Sequence, residues 1–516
     1  MTPAESGIAR ASLILVVGFL GSRALGVLRN MVLAATFGTG PELDAYFAAF
    51  RLPDALFQLI AGAALGSAFI PTFASVFARV SQEAAWRLAS VTLNLLSLVG
   101  VMAAGVGFLL APWIVPWTVF GHPPEQQDLT VHLARVMMLS TAFFCASGMI
   151  TGVLHARFHF FLPAVAPWLY NLSIIGGALF LSSSMGMVGP AIGVAAGSAL
   201  HLAVQLPGLA RVGMRYRLVF SVHTSGVAEV LRLMGPRVVT LGAAQISWFV
   251  TVALASTLHS GSIAALTYAW AVVMMPLGIL GMAPAMAAFP SLAEAAARED
   301  WGRYRALLSS GIRLALFLSI PGGLGLILVQ EPLVTLLFER GQFGEESTAL
   351  TVVALTFYAV GLFAHVLLEV ASRGSYALQD TRTPLIFALG GMCAHAAFSL
   401  LLLRLGGVAG LALAMSLSTT LEAVGLLLAV AQRAGRFDWG GLALSVGKTT
   451  FATVAMALPV AWLVLGVTQA SETPGLVVVL LGSGSLGAAV FFGVSRLLRS
   501  ADLAEFLALV WAKGPP

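Results

Sequence analysis

Long apolar stretches, each interrupted by a short polar interval, recur along this chain almost from its start. A helix needs about 20 mainly apolar residues to cross ~30 Å of hydrocarbon. By that measure fourteen segments qualify: 9–37, 44–78, 88–115, 129–154, 161–183, 187–210, 228–257, 262–296, 305–329, 347–372, 384–405, 407–432, 443–467 and 475–498. In lipid every backbone N–H and C=O must find its partner within a helix or around a closed barrel. Barrel strands would be short and would alternate polar with apolar positions. These runs do not alternate, so the pattern predicts an all-α polytopic membrane protein. The first run is too long for a signal-peptide core and no small-residue cleavage site follows, so it reads as a retained span.

Composition and charge sharpen that reading. With 59% hydrophobic and 9% charged residues and a mean hydropathy of +0.94, the chain cannot wet the surface of a soluble enzyme, where roughly 25% of residues are charged. The cations are also unevenly placed. Nineteen Lys and Arg fall in loops on one side of the fourteen-span arrangement, against only Arg340 and Arg404 on the other. Positive residues mark the cytoplasmic side, so both termini are expected in the cytoplasm. The longest polar connection, about 211–227, holds Arg211, Arg215, Arg217 and His223 and follows span six. A faint repeat supports a division there: AFIPTFASVFAR at 68–79 resembles AAFPSLAEAAAR at 287–298, with Pro71/Pro290, Ala74/Ala293 and Arg79/Arg298 at an offset of 219. The expected organisation is two six-span lobes, 1–217 and 218–435, followed by a helix pair in 436–516. Transporters are commonly built from such repeats, with the substrate path between them.

Charges inside the spans carry the candidate chemistry, because an arginine at mid-bilayer costs about 2.5–3.5 kcal/mol or more. Arg23 and Arg29 lie in span one, Arg51 follows the first turns of span two, and Arg237 opens span seven. Six helical residues put Arg23 and Arg29 about 120° and roughly 9 Å apart, able to flank one cavity. Asp44 and Asp54 lie in span two, ten residues and hence about 80° apart. Three arginines exceed these two acids, so an anionic ligand would balance them, and guanidinium suits two-point phosphate binding. Arg135 and Arg313 are expected to snorkel to the headgroups. Glu369 and Arg373 stand one turn apart and predict an ion pair, with His365 as a possible third member of a proton relay. Glu422 is a lone acid of span twelve; His201 and His395 read as buried, hydrogen-bonded histidines, and Cys145 and Cys393 as buried residues without disulfide or metal roles. No phosphate-cradling Gly-rich loop ends in Lys-Ser or Lys-Thr, and Lys448 and Lys513 are the chain's only lysines, which argues against ATP-driven transport by this chain.

The run SRALGVLRNMVLAATFGTGPELDAYFAAFRLPDALFQLI at 22–60 closely resembles the MurJ/MviN family of lipid II flippases. RFHFFLPAVAPWLYNLS at 157–173, VQLPGLARVGMRYR at 204–217, LFERGQF at 337–343 and SYALQDTRTP at 375–384 extend the resemblance over most of the chain. It implies a MATE-like fold of two pseudo-symmetric six-helix lobes, a cationic central cavity opening alternately to each side, and a lipid-facing groove from the last two helices. The family's two span-one arginines correspond to Arg23 and Arg29, its acid after the FGxG turn to Asp44, and its basic residue before Leu-Pro to Arg51. Elsewhere the chain departs: Phe57 and Ala271 stand where many members have arginines, Gly62-Ala63-Ala64 replaces Glu-Gly-Ala, and Met274 replaces an acid of some members. Arg51 and Arg237 are expected to compensate; the alternative is a divergent paralogue with weakened or altered substrate use.

The function so implied is movement of lipid II, the undecaprenyl-pyrophosphate-linked disaccharide-peptide of cell-wall synthesis, to the outer leaflet of the bacterial cytoplasmic membrane. Arg23 and Arg29 would hold the pyrophosphate, Arg51 and Arg237 would assist, and Asp44 would orient a guanidinium or take part in gating. Asp54 and the Glu369–Arg373 pair complete the candidate ion-pair set. Lipid II, membrane lipids and cell-wall synthesis proteins are the expected partners, with no nucleic acid and no cofactor; membrane potential, Na+ and H+ all stand as energy sources. The competing readings are a cation-coupled MATE-type exporter of drugs or other small molecules, which would rest on Glu369 or Glu422, a flippase of another lipid-linked oligosaccharide, and a non-transporting scaffold for wall enzymes.

Overall fold

A computed structural model describes residues 3–62, 68–435, 437–467 and 473–511. Ala63, Ala64 and Lys513 lie outside these residues. The described chain is helical: α1 (Pro3–Phe37), α2 (Pro41–Phe57), α3 (Ile70–Arg79), α4 (Gln82–Thr118), α5 (Pro124–Ala156), α6 (Phe161–Gly176), α7 (Ser182–Met185), α8 (Val188–Ala203), α9 (Leu206–Arg211), α10 (Val227–Ala255), α11 (Ser262–Leu277), α12 (Ala283–Ala297), α13 (Trp301–Leu328), α14 (Gln330–Phe338), α15 (Glu345–Val360), α16 (Leu362–Ala377), α17 (Arg382–Ala434), α18 (Trp439–Val467), α19 (Thr473–Leu497) and α20 (Ala501–Trp511).

Length and hydropathy qualify eleven of these helices as membrane spans, and twelve with α15 and α16 taken as one span bent by 43°. Part of the remaining difference from fourteen is local geometry, and part is that span two includes residues outside the described ones. Gly407, at φ 53°, divides the 53-residue α17 into the two spans expected on either side of it. Span two lies partly outside the described residues: α2 runs into π-helical turns at Gln58–Gly62, and α3 begins at Ile70. Gly361 marks the α15–α16 bend, where its Cα lies directly against Ser416, whose hydroxyl donates to the Phe357 carbonyl at 2.6 Å. Large apolar side chains face outward throughout; Trp117, Leu405, Leu458 and Trp462 are more than three-quarters exposed. Such surfaces suit hydrocarbon, and tryptophans near span ends suit its interface.

By contact the chain forms two compact units, residues 1–264 with 341–343, and residues 265–340 with 344–516. In the first, α5 packs on α2, α4 and α8, and α6 on α1 and α8. Small residues set the α1–α6 approach: a Cβ on Gly18 would meet Ala164 at 2.5 Å, and Trp168 donates to the Gly18 carbonyl at 3.0 Å. One core cluster joins Phe69, Phe73, Trp86, Leu88, Met149 and Val153 to Val227 and Val230 of α10. These contacts place α10 in the first unit, whereas the repeat assigns span seven to the second half. The repeat does have a local counterpart: π-helical turns at Gln58–Gly62 and Gly278–Met282 recur within one residue of the 219-residue offset. In the second unit α13, α18, α19 and α20 share a cluster around Phe317, Met456, Phe491 and Leu503.

Candidate functional site

The first unit gathers its intramembrane charges where α1, α2, α6 and α10 supply polar and aromatic side chains. Arg29 is half-buried and donates through Nε and Nη2 to Asn30 Oδ1, at 3.3 and 3.1 Å. It lies within electrostatic range of Tyr46, Asp54 and Tyr170. Arg51 stacks its guanidinium on the Trp248 ring, 4.2 Å from the centroid, and also acts on Asp54. Asp54 accepts a hydrogen bond from Gln58 one turn later. Two guanidinium groups thus act electrostatically on one carboxylate. The local balance is positive, and the Trp248 face holds Arg51 in place by a cation–π contact.

Two other sequence candidates, Arg23 and Arg237, lie apart from this cluster. Arg23 is exposed, with its guanidinium 5.2 Å from the Phe19 ring centroid, and Arg237 is exposed on α10. Phe57 packs against Phe144 with centroids 5.1 Å apart. Both rings, with Asp54, Tyr170, Thr151 and His201, border a cavity of about 350 Å³. The Tyr170 hydroxyl is buried there without a hydrogen-bond partner. His201 meets the expectation of a bonded structural histidine, its Nδ1 2.6 Å from Ser147 Oγ.

Asp44 corrects one expectation. Its carboxylate orients no guanidinium; at 1% exposure it accepts the backbone N–H of Gly261 and of Ala264, each at 2.7 Å, and caps the start of α11. A carboxylate at a helix N-terminus satisfies orphan amides and complements the dipole. Glycines let the flanking backbones meet. Gly261, at φ +90°, lies directly on the Thr39 carbonyl, and Gly38, at φ +66°, would direct a Cβ to 2.5 Å from the Gln342 carbonyl. Gln342 N donates to the Ala35 carbonyl at 2.9 Å. The FGTG turn and the GQF segment, read from sequence as separate motifs, are therefore two walls of one junction.

In the second unit Glu369 and Arg373 form an ion pair across one turn of α16. His365 does not join them as a relay: its ring packs on Trp270, centroids 5.0 Å apart, and its Nε2 has no hydrogen-bond partner. Ala271 and Met274, next along α11, contribute no charge. Glu422 faces Gly391, where a Cβ would stand 2.5 Å from its Oε2. Arg313 does not simply snorkel; its Nε lies 3.4 Å from Asp502 Oδ1 of α20. Arg135 donates to the Phe108 carbonyl at 3.2 Å, and Cys393 is exposed, unlike buried Cys145.

Sequence reasoning missed Trp248, Tyr170, Asn30 and Gln58. Asn30 and Gln58 were visible as polar residues beside Arg29 and Asp54, whereas Trp248 and Tyr170 enter only through tertiary packing.

The family model described as "Lipid II flippase MurJ" matches residues 33–481. A relative in Rhizobium tropici, named "Probable lipid II flippase MurJ", is 33% identical over 430 residues, covering 81% of this chain and 80% of that protein. The lipid II flippase MurJ of Burkholderia cenocepacia is 31% identical over 431 residues, covering 82% and 84%. Among solved structures, a lipid II flippase MurJ in an inward closed conformation is similar with TM-score 0.79 at 23% identity, covering 94% of this chain and 98% of that one. An inward-facing multidrug resistance MATE family transporter follows with TM-score 0.68 at 15% identity, covering 82% and 98%, a likeness of fold alone. The quoted motifs and these matches agree: this chain is an all-α, multi-pass membrane protein that belongs to the lipid II flippase MurJ family.

Proposed function

We propose that this protein moves lipid II from the cytoplasmic to the outer leaflet of the bacterial inner membrane by alternating access, with both termini in the cytoplasm. A pyrophosphate-linked headgroup needs a hydrated, cationic path, while its polyprenyl tail can stay in the bilayer. The observation that supports the reading, beside family membership, is that Arg29, held on Asn30, and Arg51, held on the Trp248 ring, both act electrostatically on the single carboxylate of Asp54. Arg29 and Arg51 take the pyrophosphate in two-point contacts, Asp54 holds them apart until the ligand enters, and exposed Arg23 and Arg237 supply further cations. The Asp44 cap on α11 acts as a latch that must release during turnover. The Glu369–Arg373 pair serves as a structural tie in α16, which disfavours the cation-coupled exporter built on Glu369.

The deciding experiment is direct flipping of labelled lipid II by purified protein in vesicles. A hydrogen bond to a charged group contributes ~1.5–3 kcal/mol, so Arg29→Ala is expected to weaken lipid II binding roughly ten- to a hundredfold and to abolish complementation of a flippase-depleted strain. Ala271→Arg, which restores a family cation, is expected to raise the flipping rate. Wild-type flipping by both Arg29→Ala and Arg51→Ala at normal protein levels would sink the cationic-path reading.

A further inference from the structure

The arginine-rich connection between spans six and seven is more than a tether. Residues 214–220 lie as a strap against α4, fixed by buried side chains. Asn94 donates to the carbonyls of Arg217 and Val219 at 3.1 and 3.0 Å and accepts from the Tyr216 hydroxyl at 2.8 Å. Ser90, fully buried, accepts the Arg217 N–H at 3.1 Å. Beyond the strap the chain turns through Ser221–Ser225, closed by hydrogen bonds from Thr224 N to the Ser221 carbonyl and from Val227 N to the Thr224 carbonyl. Gly226, at φ +89°, then packs on Leu88, Thr72 and Val76. Strap, turn and the first turns of α4 wall a cavity of about 500 Å³ bordered by Arg87, Arg217, Ser221, His223, Thr224 and Ser225.

The chemistry of this cavity is that of an anion site. Arg87 and Arg217 bring two guanidiniums against one carboxylate, Glu83, which Arg217 engages at 2.8 Å. Arg87 keeps its five donors for a ligand, His223 adds an imidazole, and the Thr224 hydroxyl is buried on this wall without a partner. The strap also selects the ligand's source. Leu218, Phe220 and Val222 alternate with pocket residues Arg217, Ser221 and His223 and core-facing Val219, and project outward at 72, 47 and 49% exposure, with Tyr216 beside them. An apolar rim of this kind, beside cations at the start of a membrane span, sits at the headgroup level with its aliphatic and aromatic groups in the acyl boundary. From this arrangement we infer that the cavity binds the phosphate of an anionic phospholipid headgroup, with Arg87, Arg217, His223 and Thr224 as its contacts.

The test uses full-length protein reconstituted in phosphatidylcholine vesicles with and without phosphatidylglycerol, then extracted and weighed by native mass spectrometry for retained lipid. Phosphatidylglycerol is expected to be retained in preference to phosphatidylcholine. Arg87→Gln with Thr224→Val should lower phosphatidylglycerol retention about tenfold and leave phosphatidylcholine retention unchanged. Leu218→Ser with Phe220→Ser should lower it while keeping all pocket cations, which separates a lipid from a free phosphate. Thermal unfolding of each variant in pure phosphatidylcholine reports folding independently. Equal retention of both lipids by wild type, or undiminished phosphatidylglycerol retention by the pocket variant, overturns the proposal. So does saturation of the site by inorganic phosphate with no displacement by phosphatidylglycerol.

Discussion

Asp44 offers the sharpest perturbation of the proposed latch. Both carboxylate oxygens are spent on backbone amides, of Gly261 and of Ala264, at 2.7 Å, and the side chain is 1% exposed. Asp44→Ala removes both acceptors and strands two buried N–H groups with no room for the chain to rearrange, because Gly261 already touches Thr39. Each charge-assisted bond contributes ~1.5–3 kcal/mol, and the attraction of carboxylate to the helix N-terminus is the same interaction seen at longer range, so about 3–6 kcal/mol is the ceiling. At ~1.4 kcal/mol per tenfold, the closed junction should lose a factor of about 10² to 10⁴ relative to the open one. Asp44→Asn keeps one acceptor but turns an amide N–H₂ toward the second backbone N–H, and should give roughly half the effect in free energy.

A buried reporter reads this directly. Ser262, fully buried at the junction, is replaced by cysteine in a background where Cys145 and Cys393 are serine, and its alkylation by a membrane-impermeant maleimide is timed in intact cells. In the parent the thiol should be protected. Asp44→Ala should accelerate labelling by at least a hundredfold, Asp44→Asn by an intermediate factor, and both should impair lipid II flipping although Asp44 touches no candidate pyrophosphate ligand. Labelling at the parental rate in Asp44→Ala, with an unchanged unfolding temperature, would show that the cap carries no part of the closed state.

Two further outcomes follow from groups away from the junction. His122, in the loop between α4 and α5, is 7% exposed, and burial holds its imidazole down to about 4 from 6.5. A histidine kept neutral in the fold loses stability as pH falls through 6.5, where the unfolded chain takes up a proton first, down to about 4; His122→Gln should flatten thermal stability across that window, and an unchanged slope would rule His122 out as its source. Arg313→Ala leaves the Asp502 carboxylate, 3% exposed, without its cation. Unfolding should be easier by about 2–4 kcal/mol, while Arg313→Leu with Asp502→Leu should recover much of that loss. A double variant as unstable as the single one would mean that packing, and not charge, holds α20 on α13.

How much of this was legible in the sequence depends on the distance over which each signal acts. Span positions, the Gly407 break and the Glu369–Arg373 pair are local: hydropathy over about 20 residues, or a four-residue spacing on one helix, determines them. The inward-set arginines were legible because charge in hydrocarbon is costly wherever it falls. Their partners were not. Trp248 reaches Arg51 across 197 positions of sequence and Asp502 reaches Arg313 across 189, and neither pairing leaves a periodic trace. Asp44 is the instructive case. An acid near three arginines suggests an ion pair by proximity in sequence, yet two backbone amides 217 and 220 residues away compete for it. They prevail for a physical reason: the guanidiniums have alternatives in Asn30, Asp54 and the Trp248 face, whereas the first amides of α11 have no intrahelical acceptor at all. A buried carboxylate goes where the unmet donors are. The same rule underlies the proposed latch: those amides would lose their partner if α2 and the start of α11 separated, and on the proposed function a substrate gripped by Arg29 and Arg51 would supply the free energy of that loss.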